Sequence, residues 1–205
     1  QKSDENYLEA KETFDKSSRN SHLVAYSVAN LSVKYNAANA KALNLRGGIA
    51  YNLEEFGSAY QDFQAAVKSE PTNATYRKNL EDTKIAFEKS DKSIMQPDVI
   101  AKGTDDFYNF AFSVDSTIEG LMVRTKKVTG LLAEAENALN KEAAYQTISI
   151  ETSSIIQIAE DNIRSAKSLK HSSMPKGLRS QLEGFISNIQ PLLDEALRLK
   201  KVIKK

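Results

Sequence analysis

The chain has 205 residues, 40% of them hydrophobic and 27% charged, with 28 basic residues against 27 acidic ones. That composition fits a folded globular chain rather than a disordered tail, and the near-cancelling charges exclude a bulk field that would drive it onto nucleic acid or membrane. The absence of cysteine excludes a disulfide scaffold, a thiolate metal site and a cysteine nucleophile, and the scarcity of glycine (8) and proline (4) argues against a turn-rich all-β domain.

No apolar run approaches the roughly 18 residues that a membrane span needs. The chain begins QKSDEN, a polar start of the kind found after a removed signal. With no cysteines, this points to a bacterial extracytoplasmic location, either periplasmic or anchored through a residue removed from the sequence. A cytoplasmic location is the alternative.

The strongest signal is internal similarity. On a shift of 34 residues, Ala25-Tyr26 falls on Ala59-Tyr60, Val33-Lys34 on Val67-Lys68, and the segment ending Asn39-Ala40 on that ending Asn73-Ala74. The segment from Ala40 to Asn73, AKALNLRGGIAYNLEEFGSAYQDFQAAVKSEPTN, resembles a tetratricopeptide repeat, which is a helical hairpin of this period. Gly47 stands where that family brings two helices close together. Phe56 opens the second helix, Ala59 and Ala66 are small where helices touch, Phe63 is the large plug, and Pro71 ends the hairpin. Leu43, Ala50 and Glu54 depart from the pattern, the last at the place of a turn glycine. A first, weaker repeat runs from about Glu5 to Asn39. Tyr7, Leu8, Ala10 and Phe14 form the stripe of its first helix, and His22 stands at the aromatic position of its second. A fifth helix, ATYRKNLEDTKIAFEK, carries Tyr76, Leu80 and Phe87 on one stripe, as a capping helix should. The resemblance covers residues 5 to 90, and residues 1–90 form the expected repeat segment.

Residues 91–103, with Pro97 and Gly103, are expected to be a linker, and Thr104 with Asp105 and Asp106 a helix start. Residues 104–205 then form three long helices. The first carries a heptad seam from Phe107 through Ala111, Val114, Ile118, Leu121, Thr125, Val128, Leu132 and Ala135 to Leu139, ending at Asn140. The second, about Lys141 to Lys170, places Tyr145, Ile148, Thr152, Ile155, Ala159, Asn162, Ala166 and Leu169 on one face. Its centre, TISIETSSIIQI, is β-branched and makes a strand the rival reading. The third follows a turn at HSSMPKG, with Ser172 or Ser173 as cap. Its seam is Leu178, Leu182, Phe185, Ile189, Leu192, Ala196, Leu199 and Ile203, and Pro191 lies inside it. The predicted fold class is all-α: tetratricopeptide-like hairpins followed by an antiparallel three-helix bundle packed on or beside them.

No catalytic constellation emerges, and no cofactor or metal is expected. His22 and His171 lack second ligands at helical spacing and read as a packing residue and a helix-end cation. The pairs Glu54-Glu55, Asp105-Asp106 and Asp194-Glu195 read as solvated faces or helix-start charges. The basic end RLKKVIKK reads as favourable cations at a helix C-terminus. Asn30-Leu31-Ser32 and Asn73-Ala74-Thr75 match a glycosylation pattern, but Asn30 sits within a helix.

The resemblance implies a protein or peptide partner held by the inner helix faces, with no nucleic acid involved and any membrane association only through a removed anchor. Mapped here, the inner side offers Lys41, Asn44, Gly48, Tyr51 and Asn52, joined by Thr75, Lys78, Asn79 and Asp82 of the next helix. Tyr51 would anchor and the amides orient. Repeats that grip a C-terminal carboxylate share a polar cluster, at whose places this chain has Ala10, Phe14, Leu45, Thr75 and Asn79. Four of the five do not match, so that mode is set aside. The expected function is a non-enzymatic adaptor or scaffold. The alternatives are a cytoplasmic secretion-type chaperone and a helical carrier of lipid or another hydrophobic ligand.

Overall fold

The computed structural model describes residues 1–15, 19–135, 137–170 and 174–203. Among them are eight helices: α1 (Lys2–Asp15), α2 (Arg19–Tyr35), α3 (Ala40–Asn52), α4 (Phe56–Ser69), α5 (Ala74–Lys89), α6 (Pro97–Ala135), α7 (Lys141–Leu169) and α8 (Lys176–Ile203). The side chain of His22, and all of His171, Ser172 and Ser173, lie outside the described residues, and the expectations for them go with them. The chain divides into two compact units. One is Gln1–Asn109 with His171–Ser180, and the other is Phe110–Lys170 with Gln181–Lys205.

The first unit is built of paired helical hairpins, α1 with α2 and α3 with α4, and α5 packs on α4. Its punctuation repeats with the sequence. Asn39 caps α3, its side-chain oxygen accepting the Ala42 N–H at 3.1 Å, and Asn73, 34 residues on, caps α5 by accepting the N–H groups of Thr75 and Tyr76. Each cap satisfies backbone donors that the first helical turn leaves open. Ala25 and Ala59, paired by the same shift, are both fully buried. Gly47 lets the second hairpin close, because a Cβ there would stand 3.1 Å from the Phe63 ring and 3.2 Å from the Asp62 Cβ. Gly57 meets the chain that follows α5. A Cβ on it would lie 2.1 Å from the Ser93 carbonyl oxygen, and the neighbouring Ser58 hydroxyl donates to the Met95 carbonyl at 2.7 Å and accepts its N–H at 3.1 Å.

Two expectations for this unit are corrected. Leu8 is exposed, so the buried face of α1 runs through Ser3 and Ala10, with Tyr7 and Phe14 half-buried beside it. Helix α6 begins at Pro97, not Thr104. Proline at a first helical position loses no hydrogen bond, Asp98 supplies the acid of the first turn, and Thr104 lies inside the helix, its hydroxyl bonded to the Ala101 carbonyl. Asp105 and Asp106 are therefore not start charges. Asp105 accepts the Ser27 hydroxyl at 2.7 Å, and Asp106 pairs with Lys102.

In the second unit α6, α7 and α8 pack as a bundle. Ala111, Val114, Leu121, Val128 and Ala135 of the α6 seam are buried, as are Ile148, Ile155, Ala159 and Ala166 of α7 and Leu182, Phe185, Ile189, Ala196 and Leu199 of α8. Phe110 meets Phe185 edge-on at 5.8 Å, and Arg124 bonds to Glu151 and Ser154. The β-branched centre of α7 is helical. The Thr152 hydroxyl turns back onto the Ile148 carbonyl at 2.7 Å, which removes the polar group that would otherwise stand in the core. The α6 seam ends at Ala135, and Leu139 is fully exposed. Asn140 opens α7 instead of closing α6, accepting the Ala143 N–H at 3.0 Å.

Candidate functional site

The helices that would line a groove are α1, α3 and α5, and a cavity of about 310 Å³ lies among them. Phe14 of α1 and Phe63 of α4 give it apolar walls, and Gly48, Tyr51 and Asn52 of α3 face Asn79, Asp82 and Thr83 of α5. Gly48 is an open place in that wall, since a Cβ there would meet nothing within 4 Å. Tyr51 is 38% exposed, so it is not a core residue, and its ring is braced edge-on by Phe56 at 5.1 Å. Thr83 is buried and spends its hydroxyl on the Asn79 carbonyl.

Beside the cavity, Asn79 Nδ2 donates to Asn44 Oδ1 at 2.8 Å, a bond between amides that ties α5 to α3. Of the residues expected on the inner face, Tyr51, Asn52 and Asp82 line the cavity, and Asn44 does not. Lys41, Thr75 and Lys78 are exposed and do not line it.

The groups at the mouth are chemically available. Among the described residues, the Asp82 carboxylate, the Asn52 amide and the Tyr51 hydroxyl have no hydrogen bond or ion-pair partner. A larger cavity of about 510 Å³ beside α4 differs in this respect. There Glu55 accepts the backbone N–H of Lys176, Asp91 takes the Lys176 ammonium at 2.8 and 2.9 Å, and Arg179 donates to the Met174 carbonyl, so each charged group already has a partner.

Sequence reasoning missed a buried polar relay on the other side of α3. Arg46 Nε and Nη2 donate to the two Asp62 oxygens at 2.8 and 2.6 Å, and Nη1 donates to Asn30 Oδ1 at 2.6 Å. Asn30 Nδ2 in turn donates to Asp98 at 2.8 Å, and Lys34 pairs with the same carboxylate at 2.6 Å. Burial raises the Asp62 carboxyl above its ordinary value, although the Arg46 hydrogen bonds and charge pull it down. Burial also opposes the Arg46 charge, but the bonds and charge of Asp62 outweigh it and hold the guanidinium above its ordinary value. Asp98 is held low by Lys34 first and by Asn30 second. Glu55, expected as a solvated or helix-start charge, does stand at the start of α4, but it is 1% exposed and its carboxylate serves the Lys176 backbone instead of capping its own helix. The signal available was positional, since Arg46 lies between Leu43 and Gly47 on the buried side of its helix, and Asp62 lies beside Phe63.

Among the described residues no group of three or more histidine or acidic side chains gathers as a metal site, and no helix is long and apolar enough to cross a membrane. No family model matches this chain, and neither a curated protein nor a solved structure matches it.

Proposed function

We propose that this chain is a non-enzymatic protein-interaction module, an adaptor or scaffold that holds an extended segment of a protein partner between α1, α3 and α5. The observation that carries this reading is the cavity of about 310 Å³ with apolar walls and unpaired polar groups at its mouth. Such a site suits a side chain presented by a peptide, because apolar walls supply burial while the polar rim fixes orientation. The resemblance of residues 40–73 to a tetratricopeptide repeat supports the same reading, since in that arrangement the first helices of successive hairpins share a concave face. Here the equivalent helices are α1, α3 and α5.

The test is affinity capture with the chain and with two variants, Tyr51→Ala and Gly48→Leu. The first removes the exposed aromatic anchor and the second fills the open wall. Both are expected to release the captured partner while leaving helical circular dichroism unchanged. Retention of every partner by both variants would remove the groove from consideration.

The bundle supplies a second surface. Phe112 and Val123 of α6 are each 69% exposed and stand three helical turns apart on one face. If the groove variants keep their partner, Val123→Asp is the next substitution to test.

A further inference from the structure

Resting on the groove reading above, we infer that the cavity between α1, α3 and α5 selects a basic side chain, the lysine or arginine of an extended peptide. Among the described residues, Asp82 is the only charged one lining the cavity. Its carboxylate has no cation partner among the described residues, and Lys78, one turn earlier on the same helix, does not pair with it. The walls below it are hydrocarbon and aromatic, from Phe14, Phe63 and the bare Gly48 backbone. Those two chemistries, an apolar wall with an anion at its rim, match the two parts of a long basic side chain. The alkyl stem packs along the wall and the charged head reaches the mouth. Tyr51 adds a ring held steady by Phe56, and a cation over a tyrosine face gains electrostatic attraction from the ring. The Asn52 side-chain oxygen is a second acceptor for the N–H groups that a carboxylate alone does not satisfy. A neutral apolar side chain would fill the same walls but leave Asp82 facing it without a partner. An acidic one would meet like charge.

The experiment probes an array of acetylated, amidated hexapeptides with the full chain, scanning each position through lysine, arginine, norleucine, tyrosine and glutamate. End blocking removes terminal charges as a source of binding. At one position lysine or arginine is expected to exceed norleucine by about five-fold, which is what one exposed ion pair with a cation–ring contact supports. Asp82→Asn should abolish that preference while retaining the weaker apolar binding, and Asp82→Lys should turn it toward glutamate. Asp82 is exposed and bonds to nothing, so neither variant should disturb folding. Peptide binding that Gly48→Leu abolishes but that shows no basic preference would overturn the inference and leave the groove reading standing. An array on which no peptide binds would overturn both.

Discussion

The Arg46 guanidinium and the Asp62 carboxylate face each other across the α3–α4 hairpin through two bonds of 2.8 and 2.6 Å, both side chains almost wholly buried. Each is the other's compensation for leaving water. Removing one partner leaves an uncompensated buried charge, and Arg46→Ala is expected to cost roughly 3–5 kcal/mol. Asp62→Leu combined with Arg46→Met should recover part of that loss, because an apolar pair of similar volume needs no partner, while the buried Asn30 oxygen loses its Arg46 donor. Urea unfolding of the single and double variants measures it. A single variant within about 1 kcal/mol of the parent would show that water reaches the pair.

Two adjacent glycines should respond with opposite sign. Gly48→Ala adds a methyl to open space and relieves the helical cost of glycine, so it should stabilise by about 0.5–1 kcal/mol. Gly47→Ala forces the Phe63 ring away from 3.1 Å and should destabilise by roughly 1–3 kcal/mol. Thermal midpoints of the two variants on either side of the parent are the expected result; midpoints shifted in the same direction would contradict the hairpin packing.

Glu54 holds a left-handed backbone at φ 60° in the α3–α4 turn. A side chain there costs roughly 1–2 kcal/mol, and glycine returns part of that gain as lost chain entropy. Glu54→Gly should therefore raise stability by up to about 1 kcal/mol. A lowered thermal midpoint would mean that the Glu54 side chain makes a compensating contact.

Acid should uncouple two surface carboxylates. Asp91 is held well below the ordinary carboxylate range by the Lys176 ammonium first, then by the N–H and hydroxyl of Ser93, and Asp98 is lowered by Lys34 and Asn30. A carboxyl with a depressed folded value adds stability that is complete above the unfolded value, ~3.9, and is lost as pH falls through the folded one. Asp91→Asn should thus lower the urea midpoint at neutral pH, with the gap to the parent closing below pH ~3.9. An unchanged gap at strongly acid pH would refute the electrostatic account.

Helix existence, period and seams were legible because they are local and repeat. The 34-residue shift paired Asn39 with Asn73, which the structure shows to be two helix caps, and Gly47 marked the close approach of α3 and α4. Pro97 was misjudged because proline reads as a breaker, whereas at a first helical position it is compatible with the helix that follows. The long-range pairings were not legible. Whether Arg46 finds Asp62, or Glu55 finds the N–H of Lys176, depends on hairpin closure and on a return of the chain that no local pattern encodes. The candidate site shows the same limit. The inner face named Tyr51, Asn52 and Asp82 together with Lys41, Thr75 and Lys78, but which of them share one cavity depends on how α3 and α5 pack, which no local pattern encodes.

The α3–α4 turn is completed from far along the chain. Gly177 N–H donates to the Leu53 carbonyl at 2.9 Å, and Lys176 N–H donates to the buried Glu55 carboxylate at 2.8 Å. During synthesis the second hairpin is made long before these donors exist. Until Lys176 and Gly177 leave the ribosome, Glu55 must stay hydrated and the turn cannot seal. A fragment cut at residue 90, where the repeat pattern stops, would keep every helix of the groove yet lack both donors, and it should fray first at Leu53 to Glu55.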